Sequence, residues 1–88
     1  MIEKNIVVVY DGSNFGEFIR NLRIYLGYTQ EEFSEKVLYE GLSYSSLRNF
    51  EQGKTEPKYP IDLIDRVIES FREDIERKCI KVVIDLER

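Results

Sequence analysis

Two segments near the middle of the chain, Thr29–Val37 and Ser43–Gln52, constrain the fold most, because each reads as a helix too short to persist alone in water. Thr29 has Glu32 three residues on, the spacing of a reciprocal capping box, and Ser43 stands where a side-chain oxygen would cap the second segment. Phe33 and Val37 give the first segment an apolar side; Leu47 and Phe50 do the same for the second. Both therefore need neighbours. Before them, Phe15, Phe18, Ile19, Leu22 and Leu26 recur at helical spacing, with Ser13 or Asn14 as cap and Gly27 as stop. Ser34 is the small residue expected where two helices cross steeply. After the loop over 54–60, Pro60 suits a first helical turn. Ile61, Ile64, Ile68, Phe71 and Ile75 then mark one face of a long last helix. On its outer side Asp62/Arg66, Glu73/Arg77 and Asp74/Lys78 have i,i+4 spacing, each pair worth only about 0.2–0.5 kcal/mol.

The ends of the chain read differently. Asn5–Tyr10 is a β-branched and aromatic run closed by Asp11-Gly12-Ser13, and Cys79–Glu87 alternates apolar with mostly polar residues. Both predict strands, and their pairing with each other is expected. Val7 and Val9 oppose Ile6, Val8 and Tyr10, so the first strand is apolar on both sides and suits a covered position. Cys79 is the only cysteine, which excludes an intrachain disulfide and points to a small buried residue in a reducing compartment. No apolar run approaches the ~20 residues of a membrane span, and no signal segment opens the chain, so a cytoplasmic protein without membrane association is expected.

With the inward residues assigned, Tyr44, Ser45, Arg48, Asn49 and Gln52 fall on the outer side of the Ser43–Gln52 helix. Guanidinium, amide and hydroxyl groups of this kind read base edges in the major groove. The order Phe15-Gly16-Glu17-Phe18-Ile19-Arg20, Leu22-Arg23, Leu26-Gly27, Thr29-Gln30-Glu31-Glu32-Phe33, Ser43-Tyr44-Ser45-Ser46-Leu47 and Phe50-Glu51-Gln52-Gly53-Lys54 resembles the phage-repressor family of helix-turn-helix regulators, the Cro-like or xenobiotic-response-element group. The resemblance covers about half the chain, Phe15 to Pro57, and extends weakly to Ile68. It implies a mainly α, lambda-repressor-like bundle of four to five helices in one domain over residues 1–88. The helix-turn-helix core would span 14–58, with a small sheet from the strands at 5–10 and 79–87. It further implies base contacts from Tyr44, Ser45, Arg48 and Asn49, and phosphate contacts from Gln30, Gln52 and Lys54. Arg23 and Glu51 match a structural ion pair, and the position of Glu51, beside Phe50 and four residues after Leu47, independently turns it toward the core flank. A carboxylate there needs a cation.

The expected function is a sequence-specific, DNA-binding transcriptional regulator of repressor or antitoxin type. Its partner would be double-stranded DNA, bound by a homodimer joined through the terminal strands, which would set two recognition helices one DNA turn apart. Three features favour a rival, a protein-binding module on the same scaffold. The net charge is −4, spread as −1 over Met1–Ser13, −1 over Asn14–Lys58 and −2 over Tyr59–Arg88, whereas nucleic-acid binders usually carry a basic footprint. The corner between the short helices holds Leu38-Tyr39-Glu40-Gly41-Leu42, about three residues more than the family pattern, which would lengthen the second helix or loosen the turn. Tyr44 would suit a protein interface as well as a thymine methyl. Without a histidine, a glycine-rich phosphate loop or metal-ligand spacing, the chain offers no catalytic residues, no metal site and no cofactor site, so no enzyme activity is expected.

Overall fold

The computed structural model describes residues 5–37 and 42–86. Its elements run β1 (Ile6–Tyr10), α1 (Phe15–Leu26), α2 (Gln30–Lys36), α3 (Tyr44–Glu51), α4 (Pro60–Ser70), α5 (Arg72–Arg77) and β2 (Ile80–Ile84). The fold is mainly α, five helices with a two-stranded sheet made from the two ends of the chain. The strands are parallel, with Ile6 beside Ile80 and Tyr10 beside Ile84.

Local chemistry sets most boundaries. The Thr29 side chain accepts from the Glu32 N–H (3.1 Å), and Glu32 Oε1 accepts from the Thr29 N–H (2.9 Å), which closes the capping box at the start of α2. Ser43 Oγ accepts from the Ser46 N–H and caps α3. Gly27 ends α1 with φ +86°, a left-handed conformation that glycine adopts without a Cβ penalty. Asn14 occupies the N-cap of α1 but its side chain does not cap. It reaches back to β1, accepting from the Asp11 N–H and donating to the Val9 carbonyl, and so ties the strand end to the helix start.

The core is one cluster in which Phe18, Ile19, Leu22, Phe33, Leu47, Ile64 and Val67 are fully buried. Tyr10 packs edge-on against Phe15 and Phe18, joining the sheet to α1. Gly16 lets α1 approach α3 closely, since a Cβ added there would overlap the Phe50 carbonyl oxygen. Ser34 is half-buried, and its hydroxyl donates to the Glu31 carbonyl.

Several expectations are corrected. The long last helix is two helices, because Phe71 leaves helical geometry (φ −114°, ψ 22°) where its ring stacks on Phe33 at 4.7 Å. The buried face of α4 is Leu63, Ile64 and Val67, with Ile61 and Ile68 only half-buried. Asp74 is not held by Lys78. It accepts from Tyr28 Oη (2.6 Å) and is ion-paired with Arg77 (3.3 Å), while Lys78 Nζ donates to the Leu26 carbonyl at the end of α1. Arg77 is thus drawn to Asp74 at i,i+3 rather than to Glu73 at i,i+4. Cys79 is exposed, precedes β2, and has φ +56° in the turn between α5 and the strand. The second strand is shorter than the expected 79–87, and Glu87 lies outside the described residues. Val7 and Val9 are not covered: they are 53% and 40% exposed. Among the described residues, no helix is long and apolar enough to cross a membrane.

The Tyr28–Asp74 bond links the α1–α2 turn to α5 and holds the Tyr28 phenol above its ordinary pKa, with burial adding to the shift. The folded state therefore binds this proton more tightly than the unfolded chain does. Its contribution is intact below the ordinary phenol pKa and is lost as pH rises through the raised value. Tyr28→Phe should cost about 1 kcal/mol at neutral pH and flatten the loss of stability above pH ~10, as read from melting curves at both.

Candidate nucleic-acid interface

The candidate interface is the outward side of α3 with the turn that follows it. Leu47, fully buried, anchors α3, and the Phe50 ring meets Phe15 edge-on at 5.5 Å. Helical period then sends Tyr44, Ser45 and Arg48 outward, and all three are exposed, while Asn49 is half-buried. The Arg48 guanidinium carbon lies 5.6 Å from the Tyr44 ring centroid, a cation–π arrangement across one helical turn. That contact limits where the Arg48 fork can point. Gln52 and Lys54 are exposed just beyond the helix.

Beneath this surface lies the ion pair. Arg23 Nε and Nη2 donate to Glu51 Oε2 and Oε1, each at 2.8 Å, and Arg23 Nη1 donates to the Tyr28 carbonyl at 2.9 Å. The Glu51 side chain is only 5% exposed. A two-pronged guanidinium–carboxylate pair of this geometry locks α3 against α1, and its third bond ties both to the turn into α2. Gln30 joins the same network, its Nε2 donating to Glu51 Oε1 at 3.2 Å. Gln30 is thus half-buried and committed in part to Glu51, rather than standing free at the helix start. Arg20, Thr29, Gln30 and Gln52 rim a shallow groove above the ion pair, which brings the predicted phosphate contacts Gln30 and Gln52 together. Of the other rim residues, Thr29 is the cap of α2, and Arg20 is an exposed cation to which the sequence pattern gives no contact.

The corner between α2 and α3 is partly described. Val37 is extended (φ −69°, ψ 124°), so α2 is not lengthened by the extra residues; it ends at Lys36. Leu42 returns to the core, and residues 38–41 lie outside the described part of the chain. Charge along the surface is more favourable to an anion than the chain total implies. Between Ser43 and Thr55 the sequence has two cations, Arg48 and Lys54, and one acid, Glu51, which Arg23 neutralises.

Among the described residues no cluster of histidine, cysteine or carboxylate side chains is arranged to hold a metal ion. No protein-family model, no curated protein and no solved structure matches the chain, so any functional reading stands on these residues and their geometry.

Proposed function

We propose that this protein is a sequence-specific DNA-binding transcriptional regulator of repressor or antitoxin type, a member of the phage-repressor helix-turn-helix group acting in the cytoplasm as a homodimer. The observation that carries the reading is the exposed polar side of α3, with Arg48 braced on Tyr44 and the helix beneath it fixed by Leu47 and the Arg23–Glu51 pair. In this reading α3 enters the major groove, and Ser45, Arg48 and Asn49 meet base edges with Tyr44 positioning the arginine. Gln30, Gln52 and Lys54 meet the flanking phosphates, which fix register without reading sequence.

Selection from random duplexes, followed by titration at several salt concentrations, tests it. Binding through Z phosphates makes log K fall with log salt at a slope near −0.9Z. Arg48→Ala or Asn49→Ala should cost about 1–3 kcal/mol on the selected site and relax discrimination at one or two base pairs. Lys54→Ala should weaken all duplexes alike and reduce the salt slope by about 1. All three side chains reach the surface, so melting temperatures should stay near that of the parent. Failure to enrich any sequence, with no salt-dependent duplex binding, overturns the reading.

The rival, a protein-binding module on this scaffold, is favoured by the exposed Tyr44 ring and the acidic total. It predicts a chain that binds no duplex at low salt.

A further inference from the structure

The sheet poses a physical problem that the rest of the fold does not solve. A two-stranded ribbon is marginal in water and is stabilised by further strands beside it. Here Val7 and Val9 face outward, exposed, and each strand has one open edge among the described residues. The two edges are not equivalent. β1 lies over the core, with Val8 and Tyr10 buried, whereas burial along the inner side of β2 falls from Ile80 (buried) through Val82 (half-buried) to Ile84 and Leu86, the last 58% exposed. The second strand is the one that runs off the core.

Its open edge has a fixed parity. The Cys79 carbonyl accepts from the Ile6 N–H (3.0 Å) and the Asp85 N–H donates to the Tyr10 carbonyl (2.9 Å), so odd-numbered residues of β2 turn their backbone groups toward β1. Alternation leaves the N–H and C=O groups of Ile80, Val82 and Ile84 pointing away, toward a further strand. Side chains follow the other alternation: Ile80, Val82, Ile84 and Leu86 lie on the core side, and Lys81, Val83 and Asp85 on the outer side.

We propose that β2 pairs antiparallel with β2 of a second copy, with Val83 on the twofold axis, making a continuous four-stranded sheet in the order β1-β2-β2-β1. Run antiparallel about Val83, the sequence Ile80-Lys81-Val82-Val83-Ile84-Asp85-Leu86 is its own complement. Lys81 stands opposite the partner's Asp85 twice over, Val82 opposite the partner's Ile84, and Ile80 opposite the partner's Leu86. The parity agrees, because Val82 and Ile84 both present edge groups and so form hydrogen-bonded pairs, while Val83 meets Val83 of the partner subunit as a non-hydrogen-bonded pair. Moving the axis to Val82 sets Lys81 against valine and Asp85 against cysteine, and the charge match is lost. Stacking the two sheets face to face would bury the charged Lys81 and Asp85 of the outer side, which is costly. Edge pairing keeps Lys81 in water and extends the apolar inner side where Ile84 and Leu86 lack cover. An isologous contact of this kind closes on itself as a dimer.

The inference deepens the dimer half of the proposed function and does not depend on the DNA half, so the test is run without DNA. Sedimentation of the full chain should show a dimer. Lys81→Asp should raise the dimer dissociation constant by on the order of tenfold or more, and Lys81→Asp with Asp85→Lys should restore it. In a Cys79→Ser background, Val83→Cys should form an intermolecular disulfide on mild oxidation, because directly opposed non-hydrogen-bonded residues have Cα atoms roughly 4.5 Å apart. Val82→Cys alone should not, since it faces the partner's Ile84. Arg48→Ala should leave every one of these results unchanged while weakening binding to the selected duplex. A chain that is monomeric at all concentrations, efficient cross-linking through Val82→Cys or Val9→Cys in place of Val83→Cys, or a charge swap that fails to restore association overturns the proposed pairing.

Discussion

Glu51→Ala should lower the stability of the domain by about 3–5 kcal/mol, because it leaves the Arg23 guanidinium largely buried with its carboxylate gone. For a domain of this size each kcal/mol shifts the melting temperature by roughly 4–8 °C, so the variant should melt more than ~12 °C below the parent. The loss has three parts. Two charge-assisted hydrogen bonds from Arg23 disappear, the Gln30 amide loses an acceptor, and α3 is no longer pinned to α1. Replacing both partners, as in Arg23→Met with Glu51→Leu, should recover much of the stability, since the desolvation cost of the charges is removed with them. A melting temperature within ~2 °C of the parent for Glu51→Ala would show that the pair is not what holds α3.

Gly16→Ala should also destabilise, against the usual sign for a glycine inside a helix. In an open helix the exchange gains about 1 kcal/mol. Here the added Cβ would overlap the Phe50 carbonyl oxygen and stand 3.2 Å from its carbon, and both are backbone atoms. A flexible side chain could swing away; α3 has to translate. Overpacking of this kind costs about 1–3 kcal/mol and sometimes more, and the variant should show a clear fall in melting temperature. Its second effect is functional. Because Phe50 belongs to α3, the shift moves Arg48 and Asn49 relative to Gln30, so duplex affinity measured well below the melting temperature should fall further than the folded fraction explains. An unchanged or raised melting temperature would mean that the helices separate without cost.

The sequence made the parts with local causes legible. Thr29 and Glu32, Ser43, and Gly27 mark their helix ends by chemistry within three or four residues, and the structure puts the ends there. The pairing of the terminal strands also followed from their composition, but their relative direction did not, since a period of two is the same for a parallel and an antiparallel neighbour. The break at Phe71 was hidden for a similar reason. Ile64, Ile68, Phe71 and Ile75 keep helical spacing straight through it, and neither glycine nor proline marks the site. What ends α4 there is tertiary, the ring packing on Phe33 and Tyr28 from another part of the chain. Gly16 was visible as a residue, but its partner, the Phe50 carbonyl, is a backbone atom on α3 that no side-chain pattern reports. Within the candidate interface the outward positions of Tyr44, Ser45 and Arg48 could be read from helical period alone. The bond from Gln30 to Glu51 could not, because it depends on how α2 is set against α3.

The parallel pairing of the first strand with the last imposes an order on synthesis. Ile6 cannot meet Ile80 until Ile80 and the residues before it have left the ribosome, so β1, apolar on both faces, has no partner strand before then. An unpaired strand of valine and isoleucine is a template for association with other chains. Nascent or truncated molecules that lack β2 therefore carry an exposed adhesive segment, whereas a chain with β2 in place hides one edge of it.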